Sequence, residues 1–585
     1  RAARPRHAAV HCARRATRRG GWAFTSETRS TMTQRRRRAH GARQGATAAV
    51  VCAAAIAAGP REAAAQGFTL LTAGRLADWS DAAVGSEEEM YLRMLGVAGI
   101  TRPTPFTLRP AAPGVLRGAL SDTAAHPWRA RAGRASGGRA RFALLAPGAH
   151  LVYNSTAPFS LNDGFAWTGR GVTAAARGGI AARWRAFSVR LEPEVAWAMN
   201  QATGIVPNGL AGPQRFADAL EPSSIDAPQR FGSRPFATAS LGQSTVRVDA
   251  LGLAAGVSTA NQWIGPALAD PLILGTNAGG FPRVFVGTGR PIPIGVGTVQ
   301  VQVQAGRLAQ SRYSTVPADS ATRILTAAAA VFTIRGVPGL ELGGARLFHG
   351  HYPDNGNVGP RVRSLVQTFF GNGGDPAGTT PQNQLASLWG RWVFAGAEVW
   401  GEFMRNDASV DGRDFWQEPD HNSGWAAGAR RVFRRSDGSL TALRFETLNT
   451  RVTHLVRLRG QTRPYVHTPI RQGHTYLGQV LGSAAGQGGL ATTIGYDRYT
   501  ARGRWTAEVA RRVVQVPVGE GAPSDRWDVL NYARLERLRF GRRQDLVVGA
   551  TALAQLNRNF RRDAYGVRLD AGWRFGPTPR AAATP

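Results

Sequence analysis

The residues best suited to hold a ligand lie in the segment NQWIGPALADPLILGTN, residues 261–277. Asn261, Gln262 and Asn277 carry amides that donate and accept hydrogen bonds. Trp263 adds a flat aromatic face. Proteins commonly bind sugars with such a set, because the ring packs on CH groups while the amides bond the hydroxyls. The alternative is a loop folded into an interior, where the amides satisfy buried backbone groups.

A second candidate group lies in the run RWVFAGAEVWGEFM. Read as one strand, it places Glu398, Trp400 and Glu402 on one face, because side chains alternate between faces. Trp392 and Phe394 would share that face. The two carboxylates would be about 13 Å apart at ~3.3 Å per residue, too far for the acid pair of a glycosidase. Ion pairing with arginine explains them better.

Two further groups could support catalysis or metal binding. Residues 420–423 read DHNS, but a His and a Ser this close in sequence rarely belong to one catalytic triad. His349 and His351 have the spacing of two ligands on one strand face, yet no third ligand accompanies them, so we expect a solvated loop. Phosphate-binding and dinucleotide motifs are absent from the sequence. We expect no catalytic residue, no metal and no cofactor.

The composition excludes several protein classes. With 71 Gly, 34 Pro and 43% hydrophobic residues, the 585-residue chain is neither collagen-like nor disordered. Its formal charge is +34, and all 72 basic residues are arginine, which GC-rich coding explains most simply. The basic charge suits an anionic lipid or an acidic glycan. Nucleic acid is not an expected partner, because zinc spacings, basic helices and aromatic RNA-binding motifs are missing.

The N-terminal part has the features of an export signal. A basic run, MTQRRRRAHGARQ, precedes the apolar run GATAAVVCAAAIAAG, and an A-x-A cleavage site ends at Ala65. We predict a signal peptide at 32–65 and interpret residues 1–31 as an upstream, non-native extension. Cys12 and Cys52 both precede the cleavage point, so the mature protein would be exported and free of cysteine.

The remaining chain alternates apolar and polar residues without any apolar run of 18 or more. GTVQVQVQAGR (297–307), AFSVRLE (186–192) and AYGVRLDAGWRF (564–575) each have one apolar and one polar face. A soluble sheet could show this pattern. Its recurrence, its length and the terminal Trp and Tyr residues favour a membrane barrel. We predict an all-β fold: a large antiparallel transmembrane β-barrel of about 16–20 strands over residues 141–576, followed by a tail, 577–585.

One segment breaks the alternation. SEEEMYLRMLGVAGITRP (86–103) begins with a capping box, Ser86 followed by Glu89, which predicts a helix. This helix would belong to a small N-terminal periplasmic segment, residues 66–140. It would either plug the periplasmic mouth of the barrel or pack there as a terminal helix without a gating role.

Together, several stretches resemble the Wzi-type capsule assembly proteins of the outer membrane. The resemblance implies 18 strands, a helical periplasmic segment and a lectin-like, non-enzymatic role in attaching capsular polysaccharide. It rests on YLRMLGVAGITRPTPFTLRP (91–110), YNSTAPFSLNDGFAWTGRG (153–171) with LEPE (191–194), STANQWIGPALADPLILGTNA (258–278), and AEVWGEFMRND (397–407) with EPDHNSGW (418–425).

On this resemblance we predict a monomer in the outer membrane of a Gram-negative-type bacterium. Its partners would be capsular or other surface polysaccharide and outer-membrane lipid or lipopolysaccharide. The alternatives are a porin or exporter for solutes, and a barrel hydrolase. The predicted polysaccharide contacts are Asn261, Gln262, Trp263, Asn277, Trp400, Glu398 and Glu402.

Overall fold

The computed structural model describes residues 69–71, 83–112, 125–129, 140–351, 382–406, 412–452, 460–515, 527–541 and 543–575. The predicted signal peptide, the upstream extension and the C-terminal tail lie outside these residues. The helices are α1 (Glu87–Val97) and α2 (Gly412–Gln417), with 3-10 turns at Gly212–Phe216 and Ala318–Ser320. The strands are β1 (Thr69–Leu71), β2 (Leu108–Arg109), β3 (Ala140–Asn154), β4 (Gly171–Trp184), β5 (Phe187–Leu191), β6 (Glu194–Ala198), β7 (Phe236–Ser240), β8 (Thr245–Ala250), β9 (Leu253–Ser258), β10 (Trp263–Ile264), β11 (Arg283–Thr288), β12 (Ile292–Pro293), β13 (Gly297–Ala309), β14 (Thr322–Ile334), β15 (Leu340–His351), β16 (Gln382–Phe394), β17 (Ala397–Asn406), β18 (Ser423–Arg434), β19 (Leu440–Asn449), β20 (Thr475–Tyr476), β21 (Gln479–Val480), β22 (Leu490–Thr500), β23 (Gly503–Gln515), β24 (Asp528–Arg539), β25 (Gln544–Arg558) and β26 (Arg562–Phe575).

The main sheet is a closed antiparallel barrel, because the last strand, β26, pairs with β3. Three positions in the wall are each filled by two short strands that lie end to end: β5 with β6, β7 with β8, and β11 with β12. Counted in this way, the described residues form eighteen wall positions. The predicted fold class and strand number are confirmed.

The two faces of the wall follow the predicted alternation. In β26, the side chains of Tyr565, Val567 and Leu569 are exposed on the outside, whereas Arg568 and Asp570 are buried inside. A spanning barrel needs this arrangement, because its outside faces hydrocarbon and its inside holds polar groups.

The two ends of the barrel differ. Turns of a few residues, such as those after β4, β16 and β22, define a short-turn end, and long connections define a long-loop end. In outer-membrane barrels the short turns face the periplasm. Exposed Trp184, Trp392, Phe433 and Trp505 lie close to the short turns, as an interfacial aromatic girdle would. None of the described helices is long and apolar enough to span a bilayer.

The run RWVFAGAEVWGEFM forms two strands rather than one. β16 and β17 are joined by Ala395 and Gly396, with φ values of 41° and 77°, as in a two-residue hairpin turn. The turn changes which residues share a face: Trp392 and Phe394 are exposed on the outside, while Glu398 is buried inside. The prediction of a common face is wrong, because the alternation of one strand does not continue across a turn.

The chain between β9 and β11 leaves the wall and folds into the lumen. We call residues 259–282 the infolded segment. Leu272, Ile273 and Leu274 are fully buried there and pack against inward side chains of the wall, including Leu325. The sequence PLIL suggests the start of an apolar strand, but these residues form a core inside the barrel instead.

Helix α1 lies in the short-turn mouth of the barrel. The Ser86 hydroxyl accepts a hydrogen bond from the backbone N–H of Glu89 (3.3 Å), which confirms the predicted cap. The Glu89 carboxylate accepts from the N–H of Gly85 (2.7 Å). Beyond the helix, Arg434 of the wall donates to the carbonyl of Ala98 (2.8 Å). The helix therefore occupies the short-turn mouth, which both predicted arrangements allow, and a gating role stays a prediction.

Candidate functional site

Asn261 and its neighbours lie inside the barrel, and their amides bond protein groups. Gln243 donates to the side-chain oxygen of Asn261 (2.8 Å). Asn261 in turn donates to the carbonyl of Ala278 (2.8 Å). The side-chain amide of Gln262 donates to that of Gln304 on β13 (2.7 Å). These contacts are those of a loop folded into an interior.

Trp263 and Asn277 are also held by the protein. The guanidinium of Arg109 lies over the Trp263 ring, 4.4 Å from its centroid. This contact uses the aromatic face on which a sugar would pack. Asn277 donates to the carbonyl of Val480 (2.9 Å), in a long-loop connection. Direct polysaccharide binding by these residues stays a prediction.

Glu398 is the centre of a buried ion-pair network. Its carboxylate lies 3.3 Å from Arg93 of α1, 2.7 Å from Arg391 and 2.6 Å from Arg430. Three arginines around one buried carboxylate offset the cost of removing its charge from water. The predicted pairing with arginine is confirmed for Glu398. Trp400 lies beside the same network, with the Arg93 guanidinium 5.6 Å from its ring centroid.

The two groups of predicted polysaccharide contacts, one around Trp263 and one around Glu398, meet where the infolded segment contacts the wall and α1. Arg93 donates to the carbonyl of Pro266 (2.7 Å) as well as pairing with Glu398. The Glu402 carboxylate lies against Gly265, which has a φ of 105°. This conformation favours glycine, and a Cβ at this position would also displace the Glu402 carboxylate.

Glu446 anchors the infolded segment, and the sequence analysis missed it. Its carboxylate accepts three consecutive backbone N–H groups, those of Leu268 (2.6 Å), Ala269 (3.0 Å) and Asp270 (2.7 Å). The Asp270 side chain receives two hydrogen bonds from Arg512 (2.6 and 2.9 Å). The alternation within β19 could have shown that Glu446 faces inward, but not which distant backbone it binds.

The connection 460–489 covers the infolded segment from the long-loop end. Tyr465 donates to the carbonyl of Leu272 (2.8 Å). Burial lowers the pKa of His474 to about 4, so its ring is neutral near pH 7. Its Nε2 donates to the carbonyl of Ile273 (2.6 Å), and its Nδ1 therefore accepts from Nε2 of His349 (2.8 Å). The covering connection and the infolded segment are thus one hydrogen-bonded unit.

The predicted solvated loop around His349 and His351 is wrong. Both residues lie in β15, and His349 is fully buried in the lumen. Across the described ranges, no group of three or more His, Cys, Asp or Glu side chains is placed to hold a metal. In the 420–423 run, the Ser423 hydroxyl donates to the backbone carbonyl of Asp420 (2.8 Å), a local turn contact.

An aromatic surface at the long-loop end was not predicted. The Trp416 side chain on α2 is 82% exposed. Arg413, Gln417 and Asp420 are exposed beside it in the sequence. A tryptophan among amide and charged residues is the same signal that singled out Trp263, and it could have found this surface.

The chain is similar in sequence to one family and in fold to several solved structures. The family described as "Capsule assembly protein Wzi" matches residues 152–511. No curated protein matches the chain in sequence. Wzi of Escherichia coli is an outer membrane protein involved in group 1 capsule assembly and a carbohydrate-binding β-barrel. It superposes with a TM-score of 0.58 at 15% identity, over 84% of this chain and 98% of its own.

Two barrels from Pseudomonas aeruginosa are more distant. OpdQ has a TM-score of 0.35 at 9% identity, over 74% of this chain and 97% of its own. OccK5 has a TM-score of 0.36 at 11% identity, over 74% and 98%. The family match spans more than half of the chain and includes the infolded segment, α2 and most of the wall. The chain belongs to the Wzi capsule assembly family and is an outer-membrane β-barrel.

Proposed function

We propose that the protein binds capsular or another surface polysaccharide at the outer face of the outer membrane and helps to attach it, without catalysing a reaction. The observation that carries this proposal is membership of the capsule assembly family across residues 152–511. The E. coli member with the same fold is described as carbohydrate-binding.

The filled lumen favours binding over a porin or an exporter. Along the barrel axis, α1, the infolded segment and the connection 460–489 contact one another in that order. The infolded segment contributes a buried apolar core that packs mainly against the long-loop half of the wall. A polymer outside the cell would therefore meet the long-loop end rather than a water-filled channel.

Trp416 is the proposed stacking platform on this end. It is the most exposed tryptophan of those described, and it lies beside exposed Gln417 and Arg413. Other exposed arginines at the long-loop end, such as Arg312 and Arg562, suit a polymer that carries carboxylates. In this proposal, the predicted contact residues that are buried inside the barrel hold the infolded segment in place beneath the binding surface.

The test is a binding assay of the detergent-purified protein against the surface polysaccharide of its own cell. We expect Trp416→Ala to weaken binding about tenfold, by analogy with the stacking of a nucleic-acid base on an aromatic side chain, which contributes about 1–3 kcal/mol. Trp505→Ala, which removes an exposed tryptophan at the short-turn end, is the matched control and should bind normally.

Trp263→Ala distinguishes a binding site on the Trp416 surface from a binding site inside the barrel. We expect it to lower stability, because it leaves a buried space beneath Arg109. If Trp263→Ala abolished binding without loss of stability while Trp416→Ala bound normally, the polymer would contact the interior and the surface site would be wrong.

A further inference from the structure

The barrel wall has an opening in its long-loop half, between β7 and β13. β9 ends at Ser258 and β11 begins at Arg283, because the chain between them folds into the lumen. At that level Arg283 pairs with Ser258 on one side and with Gly306 on the other. Above it, β13 continues to Ala309 without β11 beside it. Neighbouring strands are about 4.8 Å apart, so two missing strands leave a gap of about 14 Å.

A cavity of ≈ 590 Å³ lies at this opening. Leu191, Leu241, Val257 and Val284 line it, and all four are exposed on the outer surface of the barrel. The cavity is therefore a recess in the lipid-facing wall, and Thr259 and Pro282 at the two ends of the infolded segment also line it. Its volume is within the range of pockets that hold small ligands, about 300–1,000 Å³.

Two arginines line the recess, Arg283, which is buried, and Arg307, which is exposed at its edge. Arg307 lines the cavity and is exposed on the outward face of β13, above outward Val303 and Ala305. Its guanidinium donates to the hydroxyl of Thr322 at 3.4 Å. A charge on the lipid face is costly unless it reaches the headgroup layer or an anion. The position of Arg307, close to the long-loop end of its strand, suits a phosphate in the outer leaflet.

We propose that this recess binds an acyl chain of a phosphorylated glycolipid of the lipid A class, with a lipid phosphate on Arg307. The recess faces the membrane, so its occupant is a lipid. It lies in the half next to the long loops, and the outer leaflet there consists of lipopolysaccharide. This site is distinct from the Trp416 surface and goes beyond the proposed function, because it takes a membrane lipid rather than the capsule polymer.

The test is native mass spectrometry of the full barrel released from detergent after addition of purified lipid A. We expect the wild type to retain one lipid A molecule. Val257→Trp fills the recess and should abolish that adduct. Val509→Trp is the matched control, because Val509 is equally exposed on the outside of β23, away from the opening.

A second pair tests the phosphate contact. Arg307→Gln should reduce lipid A retention at least fivefold, whereas Arg511→Gln, an exposed outward arginine near the long-loop end of β23, should not. Equal retention by Val257→Trp and Val509→Trp would overturn the site. Equal retention of dioleoyl phosphatidic acid, with the same dependence on Arg307, would overturn the assignment to a glycolipid. Polysaccharide binding by Val257→Trp should stay normal, which separates this proposal from the capsule function.

Discussion

At the scale of single residues, buried carboxylates decide where the infolded segment lies. Glu446 receives three backbone N–H groups, and Asp270 joins the segment to Arg512. Alternation within the strands predicted that such carboxylates face inward, and Glu398 confirms it. The sequence could not predict the partners of Glu446 and Asp270, because those contacts join residues more than 170 positions apart.

Glu446→Ala should destabilise the barrel strongly. The substitution leaves three N–H groups without an acceptor, of which that of Asp270 is buried and those of Leu268 and Ala269 are half-buried. Because a buried unsatisfied group costs about 1–3 kcal/mol, we expect a loss of about 3 kcal/mol in the free energy of unfolding. Urea titration followed by tryptophan fluorescence measures it. Asp437→Asn alters an exposed turn carboxylate and should leave the free energy of unfolding almost unchanged, because solvent screens exposed charges. Equal effects of the two substitutions would contradict the anchoring role.

At the scale of elements, the capped helix was predictable and its docking was not. Ser86 and Glu89 form the expected cap, because capping depends on residues within one turn. The helix is buried on nearly every side once docked, and its partners come from distant strands. Glu88, for example, pairs with Arg574. The hairpin at Ala395 was missed for a related reason: a run of alternating residues does not show where the chain reverses, and the Ala-Gly pair was the available signal.

Docking of α1 should weaken as the pH rises. Partial burial, with Glu536 and Glu88 nearby, raises the pKa of Glu87 to about 7 against the opposing Arg504. A carboxyl whose folded pKa is raised favours the folded state in its protonated form. That contribution is present below the ordinary value of 4.5 and is lost as the pH rises through about 7.

Hydrogen exchange of residues 87–97, corrected for intrinsic rates, measures this dependence. We expect protection to fall several-fold between about pH 5 and about pH 8. Glu87→Gln should remove the part of the change that Glu87 causes. An unchanged pH profile in Glu87→Gln would show that another group causes the pH dependence of protection.

At the scale of the whole molecule, the lumen of the barrel is filled by other parts of the chain. The polar-in, apolar-out pattern followed from the sequence, because it repeats in every strand. Strand length predicted a range of about 16–20 strands, and the family resemblance gave 18. The sequence did not predict that the lumen is filled. PLIL has the composition of a lipid-facing strand, whereas in the folded barrel Leu272–Leu274 pack inside the lumen.

We expect the purified protein to show no stable porin-like conductance in planar bilayers, because the infolded segment is bonded to the wall, to α1 and to the covering connection. An open porin measured in the same bilayers is the positive control. Glu446→Ala, which releases one anchor, should increase brief openings. Stable large steps in the wild type would support a transport function instead.

The closure of the barrel has a consequence for the order of its assembly. The ladder between β26 and β3 has seven registered pairs, against thirteen in each neighbouring ladder. Below it, β1 pairs in parallel with Ala143–Leu145 of β3. Residues near both termini therefore complete the same seam. Because such distant segments lose the most chain entropy when they meet, we expect the seam to form last during folding and to be the point at which the ring opens most readily.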